Sequence, residues 1–565
     1  MNTQFETIME AIIREKPATK AEFDRARQNA TREHKINLPA NRHLLEAYQN
    51  LVKKKRIARE PALEQFLRKA NIRSGSGIAV ITSLVKPYMC PGKCVYCPTE
   101  IRMPKSYIAS EPAAARSLRL NFDPYELMHK RIDMLEKNGH PCDKIEYIVK
   151  GGTWNAYPLK YQYWYMLESF RACNNLARRT PTSRTHEADW GDVPLEALME
   201  TIEQEQRYNE TARHRIIGAT LETRPDAISP KTIMHMRKQG CTRIELGLQA
   251  PDDDILALIK RGHTVDQFRT AITLLRQAGF KVDLHFMPDL PGTTPEHDVA
   301  MYKLLFEDKA LRPDMVKIYP NTVIKSAEQY QWFLEGKYKP YGEENLFNAL
   351  LQMKLATPPY CRISRLIRDI PADEIEAGNK ITNLREALAK ELQRCGLSCQ
   401  CLRCREIGRH RTEIPEDTAP QLFTDTYETR GGTEYFLTFE DPKRIAVFAF
   451  LRLRLPHAPE TTEARTKDAS GTGPANASLH THLPEIRDCA FIRELHTYGQ
   501  MVGIGERRAD AAQHKGLGKQ LMQEAQRIAH EHEFKKLAVI SGVGVRGYYR
   551  KLGFAKRGTY MVKVL

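Results

Sequence analysis

The segment Met89-Cys-Pro-Gly-Lys-Cys-Val-Tyr-Cys-Pro98 is the most informative stretch of the chain, because its cysteines are spaced C-x3-C-x2-C. Cys90, Cys94 and Cys97 can hold three irons of a [4Fe–4S] cluster and leave the fourth iron without a protein ligand. The alternative is a zinc site, which needs four ligands and usually paired C-x-x-C units. No other Cys or His stands in the next 30 residues, so the spacing favours an iron–sulfur cluster.

An iron without a protein ligand can be chelated by the amino and carboxylate groups of S-adenosylmethionine (SAM). Reduction of such a cluster cleaves SAM to a 5′-deoxyadenosyl radical, which is the chemistry of radical SAM enzymes. Beyond the cysteines, short apolar strands alternate with amphipathic helices, the pattern of a parallel sheet or a β/α barrel. We therefore predict an α/β fold in which a radical SAM partial β/α barrel occupies residues 75–375.

The ends of the predicted strands indicate where a site would form. Six strands are predicted in this region, at 78–84, 145–149, 216–221, 243–248, 282–286 and 315–319. In β/α barrels the carboxyl ends of the strands carry the active site. We expect one cofactor-binding mouth to contain the polar and glycine residues that follow these strands, namely Gly151, Gly152, Glu222, Arg224 and Gln249.

Several titratable residues near the strand ends admit two interpretations. His263, His285 and His496 can serve in acid–base catalysis, although a lone histidine at a strand end is more often structural. Lys317 and Arg365 are predicted near the barrel mouth, where they contact RNA phosphate or are simply solvated.

The composition limits the class of protein. The chain has 565 residues and a formal net charge of +16, which favours a polyanionic partner, most commonly nucleic acid. Seven of its 12 cysteines cluster at 90–97 and 395–404, as metal ligands do in a reducing compartment. No apolar stretch approaches the ~18 residues of a membrane span, and the N-terminus lacks a signal-peptide pattern. We expect a soluble cytoplasmic protein.

Residues 1–74 are predicted to form a basic helical segment. Apolar residues recur there at helical spacing, and 16 Lys and Arg stand against 9 Asp and Glu, a net charge of +7. The densest basic run is Lys53-Lys-Lys-Arg56. An RNA-contacting module and an ordinary solvated helical surface are both consistent with this pattern.

A second cysteine group lies in the predicted connector 376–417. Cys395, Cys399, Cys401 and Cys404 have the spacing C-x3-C-x-C-x2-C, and His410 follows closely. Soft thiolates at this density suit a structural zinc ion. We expect Cys399, Cys401 and Cys404 to bind zinc, with Cys395 or His410 as the fourth ligand. Coincidental cysteines in a connector are the alternative.

The predicted domain 418–565 contains a phosphate-binding pattern. Gln513-His-Lys-Gly-Leu-Gly518 stands before a predicted helix and matches the Q/R-x-x-G-x-G/A pattern of Gcn5-related acetyltransferases. Backbone N–H groups of such a turn can bind the pyrophosphate of coenzyme A. A six-residue match alone is weak, but strands flank it and Tyr548-Tyr-Arg-Lys-Leu-Gly-Phe554 follows. Residues 456–483, which are poor in large apolar residues, are predicted to be a disordered loop.

The combination of these two domains, together with local motifs, resembles the catalytic subunit of Elongator. The resemblance runs from about residue 75 to the C-terminus and rests on motifs such as Pro104-Lys-Ser-Tyr107, Glu222-Thr-Arg-Pro-Asp226, Arg261-Gly-His-Thr264, Met287-Pro-Asp-Leu-Pro291 and Ile540-Ser-Gly-Val-Gly544. That family is the tRNA uridine acetyltransferase that begins 5-carboxymethyl modification of the wobble uridine. Eukaryotic members have a longer gap between the first two cluster cysteines, so the shorter gap here favours a prokaryotic, stand-alone member.

The resemblance also implies roles for particular residues. Cys90, Cys94 and Cys97 match the cluster ligands, and Lys144 matches a lysine of the radical domain that is assigned to acetyl-CoA. Lys144 and Tyr549 are the implied catalytic residues. The implied acetyl-CoA contacts are Glu494, Leu495, His496, Thr497, Gln513, Gly516, Leu517, Gly518, Lys519, Tyr548 and Tyr549.

These implications give a leading hypothesis and two alternatives. In the leading one, a SAM-derived radical activates the methyl group of acetyl-CoA, which adds to C5 of uridine in the tRNA anticodon stem-loop and yields 5-carboxymethyluridine. The first alternative is a protein lysine acetyltransferase with a structural iron–sulfur domain. The second is a tRNA-binding module without catalysis. The electron donor and the oligomeric state, including a homodimer, stay open.

Overall fold

The structure is a computed structural model, which describes residues 2–67, 77–176, 178–410, 413–415, 417–457, 475–498 and 516–565. Its helices are α1 (Asn2–Arg14), α2 (Lys20–Glu33), α3 (Asn41–Lys53), α4 (Pro61–Leu67), α5 (Pro112–Arg119), α6 (Pro124–Lys137), α7 (Leu159–Asn175), α8 (Leu195–Asn209), α9 (Pro230–Lys238), α10 (Asp253–Leu258), α11 (Val265–Gln277), α12 (Pro295–Glu307), α13 (Gln329–Leu334), α14 (Glu343–Ala356), α15 (Leu384–Arg394), α16 (Ala475–His482), α17 (Leu517–Glu531) and α18 (Arg546–Lys551). Its strands are β1 (Ala79–Leu84), β2 (Lys144–Lys150), β3 (Arg215–Thr223), β4 (Arg243–Gln249), β5 (Lys281–Phe286), β6 (Met315–Ile318), β7 (Thr322–Val323), β8 (Arg362–Arg365), β9 (Ala377–Gly378), β10 (Gln421–Thr429), β11 (Gly432–Glu440), β12 (Val447–Pro456), β13 (Cys489–Thr497), β14 (Lys536–Val539), β15 (Ala555–Arg557) and β16 (Tyr560–Val564).

The first sheet is an open, all-parallel half-barrel. Its seven strands follow the order β1-β2-β3-β4-β5-β6-β8, and helices connect them. The predicted partial barrel is confirmed, and the six predicted strands lie within two residues of the observed ones. β8 was not predicted, because it is four residues long and mostly polar, with only Ile363 buried.

The alternation of side chains along β2 shows how the half-barrel is built. Tyr147 is buried and bonds Ser169 of α7, with 2.8 Å between the hydroxyl oxygens. Lys144, Glu146 and Lys150 alternate with the buried residues and are partly exposed. Since successive side chains of a strand point to opposite faces, these charged residues point into the barrel interior. The interior is therefore polar along its length.

The four N-terminal helices α1–α4 form a module with its own apolar core. Ile8, Phe23, Leu44 and Leu51 are buried in it, which confirms the helical character predicted for this part of the chain. Residues 68–74 of the predicted segment lie outside the described residues. Helix α3 contacts α6, so the module is seated on the outer helical layer of the barrel.

The second sheet has the order β10-β11-β12-β13-β14-β16-β15. Its neighbours are antiparallel except for the parallel pair β13–β14. That pair is hydrogen-bonded only from Cys489 to Ile492, whereas β13 continues along β12 as far as Thr497. The sheet therefore splits beyond Ile492, and a wedge opens beside the second half of β13. A wedge of this kind exposes backbone groups that a ligand can pair with.

Part of the segment 456–483 differs from the prediction of a disordered loop. Residues 458–474 lie outside the described residues, but α16 follows them, contacts α9 and is succeeded by the buried Leu483. Leu479 of this helix is also buried. The helix was not predicted because only two large apolar residues, Leu479 and Leu483, are buried in an otherwise polar segment.

The second sheet packs against the amino ends of the barrel strands. Arg493 of β13 donates to Asp314, just before β6, at 2.9 Å and to Glu434 of β11 at 2.9 Å. A side-chain carbon at Gly542 would lie 1.8 Å from the carbonyl oxygen of Ile217 in β3, so the two backbones are in direct contact. The cysteine loop follows β1 at the opposite end of the barrel. No helix of the described residues is both long enough and apolar enough to cross a lipid bilayer.

Candidate active site

The cysteine loop is fixed beyond the carboxyl ends of the barrel strands by backbone hydrogen bonds. The amide of Val95 donates to the carbonyl of Ile259 at 3.1 Å, and the amide of Gln329 donates to the carbonyl of Val95 at 2.8 Å. Cys90, Cys94 and Cys97 then line one open cleft of about 870 Å³, counting the solvent at its mouth.

The donor set fits an iron–sulfur cluster better than a single ion. Two groups of potential ligands among the described residues have all their atoms within 4.8 Å of one another, and the three loop thiols are not one of them. A single zinc ion, with thiolate bonds of about 2.3 Å, requires closer sulfurs. A hydrogen bond from Cys97 and the nearby charge of Arg261 lower the pKa of Cys94 to about 4 despite its burial. The same contact raises the pKa of Cys97 well above its usual range, so it favours the thiolate form at Cys94 alone of the two.

The turn after β2 brings two predicted residues to the cleft wall. Gly151 has a φ of 140° and Gly152 a φ of 86°, values that favour glycine. A side-chain carbon at Gly151 would lie 2.1 Å from Cγ2 of Val85. The amide of Gly151 approaches the Glu222 carboxylate at 3.4 Å, and the Tyr107 hydroxyl donates to the same oxygen at 2.7 Å. The structure thus places Glu222 beside the glycine turn.

Two polar atoms on the cleft wall are left for a ligand. Arg224 donates to Asp226 at 2.9 and 3.1 Å, yet its Nη1 is buried without a partner among the described residues. The same is true of Oε1 of Gln249, whose φ is 80°. A side-chain carbon at Gly92 would lie 2.4 Å from Nη1 of Arg224, so this glycine lets the guanidinium reach the cysteine loop. An unpaired donor and an unpaired acceptor suit a polar ligand such as SAM.

A charged cluster lies at the floor of the cleft. Glu222, Glu245 and His285 are close enough to hold a cation, but Lys317 contacts Glu245, and Lys150 lies 3.9 Å from it. Burial opposes the ionisation of Glu245, yet these two lysines outweigh it and hold its pKa well below the usual range. Lys317 is therefore buried in an ion pair, and the expectation that it contacts RNA or solvent is wrong. Two ammonium groups already neutralise the site, which leaves it unsuited to a metal.

The other two predicted histidines, His263 and His496, do not line the cleft. Nε2 of His263 is 3.1 Å from the carbonyl of Gly247, and burial lowers the pKa of His263 to about 4. His496 stacks on Phe450 with 5.8 Å between ring centroids, and burial lowers its pKa to about 4 as well. Both rings are neutral near pH 7. Only His285, with Nε2 3.3 Å from Glu245, lines the cleft.

The second part of the site lies at the wedge of the second sheet. Gly516 has a φ of 71° at the start of α17. A side-chain carbon at Gly518 would lie 3.3 Å from the Tyr548 hydroxyl and 3.4 Å from Oγ1 of Thr497. The predicted residues Thr497, Gly518 and Tyr548 thus meet at the amino end of α17. Tyr549 is buried in the domain core against Phe554. Gln513 lies outside the described residues.

Lys144 lies at the opposite end of the barrel from the cysteines. It begins β2, and its register partner in β3 is Arg215, which lies directly against Gly544 of the second domain. Nearby, Lys281 at the start of β5 pairs with Glu494 of β13 at 3.3 Å. The predicted acetyl-CoA residues of the two domains therefore face the same interface. The seven residues of β2 separate this interface from the cysteine loop by about 20 Å.

The connector cysteines form a compact thiol group. Cys399, Cys401 and Cys404 have their sulfurs within 4.8 Å of one another, which suits a single tetrahedral metal. Neither predicted fourth ligand belongs to this group. The exposed Cys395 lies 3.7 Å from Glu391, and His410 is 2.7 Å from the carbonyl of Cys404.

Family models match most of the barrel domain and the C-terminal part of the second domain. The Radical SAM superfamily matches residues 84–305, the Radical_SAM C-terminal domain matches 313–394, and the Acetyltransferase (GNAT) domain matches 509–563. The protein is thus a radical SAM protein with an attached acetyltransferase domain, which implies a [4Fe–4S] cluster, SAM and a coenzyme A thioester.

Relatives that align with nearly the whole chain identify the family within the radical SAM proteins. The tRNA uridine(34) acetyltransferase of Methanocaldococcus infernus is 38% identical over 99% of this chain and 98% of its own length. Human Elongator complex protein 3 is 35% identical over 88% of this chain and 86% of its own. A solved structure of the M. infernus protein, lacking its N-terminus, covers 87% of this chain and all of its own with a TM-score of 0.69 and 37% identity. The chain belongs to the tRNA uridine(34) acetyltransferase family, which includes Elongator complex protein 3, so the resemblance is confirmed.

Proposed function

We propose that the protein transfers the acetyl carbon of acetyl-CoA to C5 of the wobble uridine of tRNA and so produces 5-carboxymethyluridine. The observation that carries this proposal is the presence of a three-thiol cleft and an acetyltransferase wedge on two domains that pack against each other. The names of the full-length relatives, tRNA uridine(34) acetyltransferases, agree with it. All 12 cysteines are free thiols, which is consistent with a reducing cytoplasm.

In this proposal the cleft residues hold the radical-generating cofactors. Cys90, Cys94 and Cys97 would hold a [4Fe–4S] cluster. Glu222, Arg224, Gln249 and the turn Gly151–Gly152 would hold SAM. Cluster and SAM together supply a radical strong enough to abstract hydrogen from an unactivated C–H bond. The residues themselves bind and orient: the free Nη1 of Arg224 donates to SAM, and the free Oε1 of Gln249 accepts from it.

The wedge of the second sheet would hold acetyl-CoA. The left-handed turn at Gly516 and the free amides that begin α17 offer donors to the pyrophosphate. Leu517, Gly518 and Lys519 lie in this first turn. The exposed edge of β13, which comprises Glu494, Leu495, His496 and Thr497, would contact the pantetheine arm.

Lys144 and Tyr549 remain our proposed catalytic residues. Lys144 lies at the interface where the acyl end would emerge from the wedge. Burial raises the pKa of the Tyr549 hydroxyl above its usual range, so this residue would act as a neutral hydrogen-bond donor and not as a base. Both roles concern the thioester oxygen, where negative charge develops when the acyl group reacts.

Charged side chains inside the barrel lie between its two ends. Lys144, Glu146 and Lys150 of β2 point into it, and Glu146 pairs with Arg243 at 3.2 Å. The interior is thus a polar column from the domain interface to the floor of the cleft. The proposal requires the acetyl end of acetyl-CoA to reach this part of the barrel from the wedge.

The N-terminal module α1–α4 is proposed to bind tRNA. Lys53, Lys54, Lys55 and Arg56 are all exposed at the end of α3, although Lys54 and Arg56 also pair with acidic residues of α1. Deletion of residues 1–74 is expected to weaken tRNA binding and to lower the salt dependence by roughly one unit of slope per lost phosphate contact. Unchanged affinity and slope would show that the module is only a structural cap.

The connector thiols are proposed to hold a structural zinc ion. Cys399, Cys401 and Cys404 would supply three ligands, and His410 or Cys395 would supply the fourth. Metal analysis of protein expressed without added iron tests this, since one zinc per chain is expected in wild type and none in Cys401→Ser.

The decisive experiment uses anaerobically reduced protein with SAM, acetyl-CoA deuterated on its methyl group, and tRNA. We expect 5-carboxymethyluridine in the digested tRNA and deuterium in the released 5′-deoxyadenosine. Product without deuterium in deoxyadenosine would contradict the radical route. Acetylation of a lysine peptide in the absence of SAM and reductant would instead favour an acetyltransferase with a structural iron–sulfur domain.

A further inference from the structure

Arg261 is a buried cation directed at the cysteine loop. It follows α10, and its side chain is 6% exposed. Its Nη1 lies 3.5 Å from Sγ of Cys94, and its Nη2 donates to the carbonyl of Gly247 at 2.6 Å. A side-chain carbon at Gly247 would lie 2.6 Å from the same Nη2. The glycine in β4 therefore leaves the space that the guanidinium occupies.

The charge of Arg261 has no carboxylate partner. No Asp or Glu oxygen of the described residues lies within 4.0 Å of its nitrogens, whereas the neighbouring Arg224 is paired with Asp226. An unpaired buried charge costs several kcal/mol. Such a residue is stable only if an anion occupies the space next to it.

We propose that Arg261 is the internal counter-ion of the iron–sulfur cluster and that its hydrogen bond to Sγ of Cys94 raises the reduction potential of the cluster. The inference rests on the proposed cluster site. A cluster with thiolate ligands carries net negative charge, and reduction adds one more electron to it. A fixed positive charge and an N–H donor at a ligand sulfur stabilise the reduced form more than the oxidised form. Arg261 is thus a positioning and tuning residue, because it acts through Cys94.

The test compares the cluster midpoint potential of three variants with wild type, by EPR-monitored titration of reconstituted full-length protein without substrates. Arg261→Met removes both the charge and the donor, and Arg261→Lys keeps the charge but lacks the planar fork. Lys260→Met is the matched control, since Lys260 is the adjacent residue, is exposed and pairs with Glu328. It changes the net charge by the same amount at a solvated position.

We expect the midpoint potential of the cluster in Arg261→Met to be more negative than in wild type. The equilibrium constant for reduction should fall at least tenfold, which corresponds to about 59 mV for one electron. Arg261→Lys should recover part of this shift, and Lys260→Met should match wild type. A midpoint of Arg261→Met equal to that of Lys260→Met, at full iron content, would overturn the inference.

A second measurement applies if Arg261→Met takes up no iron. Replacing an uncompensated buried charge with an apolar residue of similar size is often neutral or stabilising. The cluster-free form of Arg261→Met is therefore expected to melt at or above the temperature of cluster-free wild type, and a lower temperature would overturn the inference. Iron binding and SAM cleavage by wild type report separately on the cluster site itself, so the failure of one conclusion is distinguishable from the failure of the other.

Discussion

Replacement of Arg493 by Met provides a direct test of how the two domains are joined. Arg493 is fully buried in β13. It donates to Asp314 at 2.9 Å, to Glu434 at 2.9 Å and to the carbonyl of Phe280 at 2.7 Å. The substitution removes one cation and leaves two carboxylates and one carbonyl without these bonds, in the contact between the barrel and the second sheet.

The expected loss of unfolding free energy depends on the charges that remain around Asp314 and Glu434. Removal of one partner from a buried ion pair costs about 3–5 kcal/mol. Glu434 still accepts from Arg454 at 2.6 Å, and Arg452 lies 3.9 Å from Asp314. Because these arginines compensate part of the charge, we expect the lower end of the range, about 3 kcal/mol of the free energy of unfolding. Urea denaturation of the full-length protein, followed by circular dichroism, measures this loss.

A pH series adds a second signature. Burial alone would raise the pKa of Asp314, but Arg493 and Arg452 outweigh it and hold the pKa below its usual range. A depressed carboxyl pKa contributes stability above the unfolded pKa, and that stability is lost as the pH falls through the folded value. In Arg493→Met the folded pKa rises, so this contribution is lost at a higher pH than in wild type.

The control for Arg493→Met is Arg527→Met on α17. Arg527 also pairs with two carboxylates, those of Glu524 and Glu531, but its side chain is exposed. Exposed ion pairs contribute little to stability because water screens them, so little change is expected. A loss in Arg493→Met no larger than in Arg527→Met would refute the argument from burial. The double variant Arg493→Met with Asp314→Leu should lose less than the sum of the two single variants.

Three further predictions concern the sites. Cys90→Ala is expected to lose the cluster iron, measured by iron analysis, while calorimetric binding of coenzyme A persists, because the thioester wedge is in the other domain. Gly518→Val should weaken acetyl-CoA binding, since its side chain would crowd the Tyr548 hydroxyl at 3.3 Å, whereas Gly547→Ala, with open space around it, should bind as wild type does. Burial raises the pKa of Asp289 to about 8 and of Asp298 to about 6. A raised carboxyl pKa makes the folded state lose stability as the pH rises from about 4 to 8. Asp289→Asn should therefore reduce the dependence of the unfolding free energy on pH, measured by denaturation over this range.

Local patterns predicted much of the fold. The six predicted barrel strands are apolar runs bounded by polar residues, and α11 begins at a local capping box in which the Thr264 side chain accepts from the amide of Gln267. These signals depend on residues a few positions apart, so they are readable without the tertiary structure. β8 and α16 escaped prediction because each is held by contacts with distant segments more than by its own periodicity.

The sequence predicted the chemistry of the candidate site and the group of residues at its mouth, but not the contacts that its charged side chains make. Cys90, Cys94 and Cys97 are close in sequence, so their spacing alone indicates a cluster. The sequence gives no sign that Arg261 would lie 3.5 Å from Cys94, 167 positions earlier in the chain. It also left Lys317 as a surface residue, whereas the barrel buries it on Glu245.

The sequence by itself determined the ligand types, the strand and helix periods and the two domain classes, because each is encoded in residues that are neighbours along the chain. The tertiary structure alone decided that the acetyltransferase domain packs on the amino ends of the barrel strands and that a buried arginine faces the cysteine loop. Those features depend on which distant segments of the chain pack together. That packing is decided by many weak contacts formed at the same time, and no local sequence pattern contains this information.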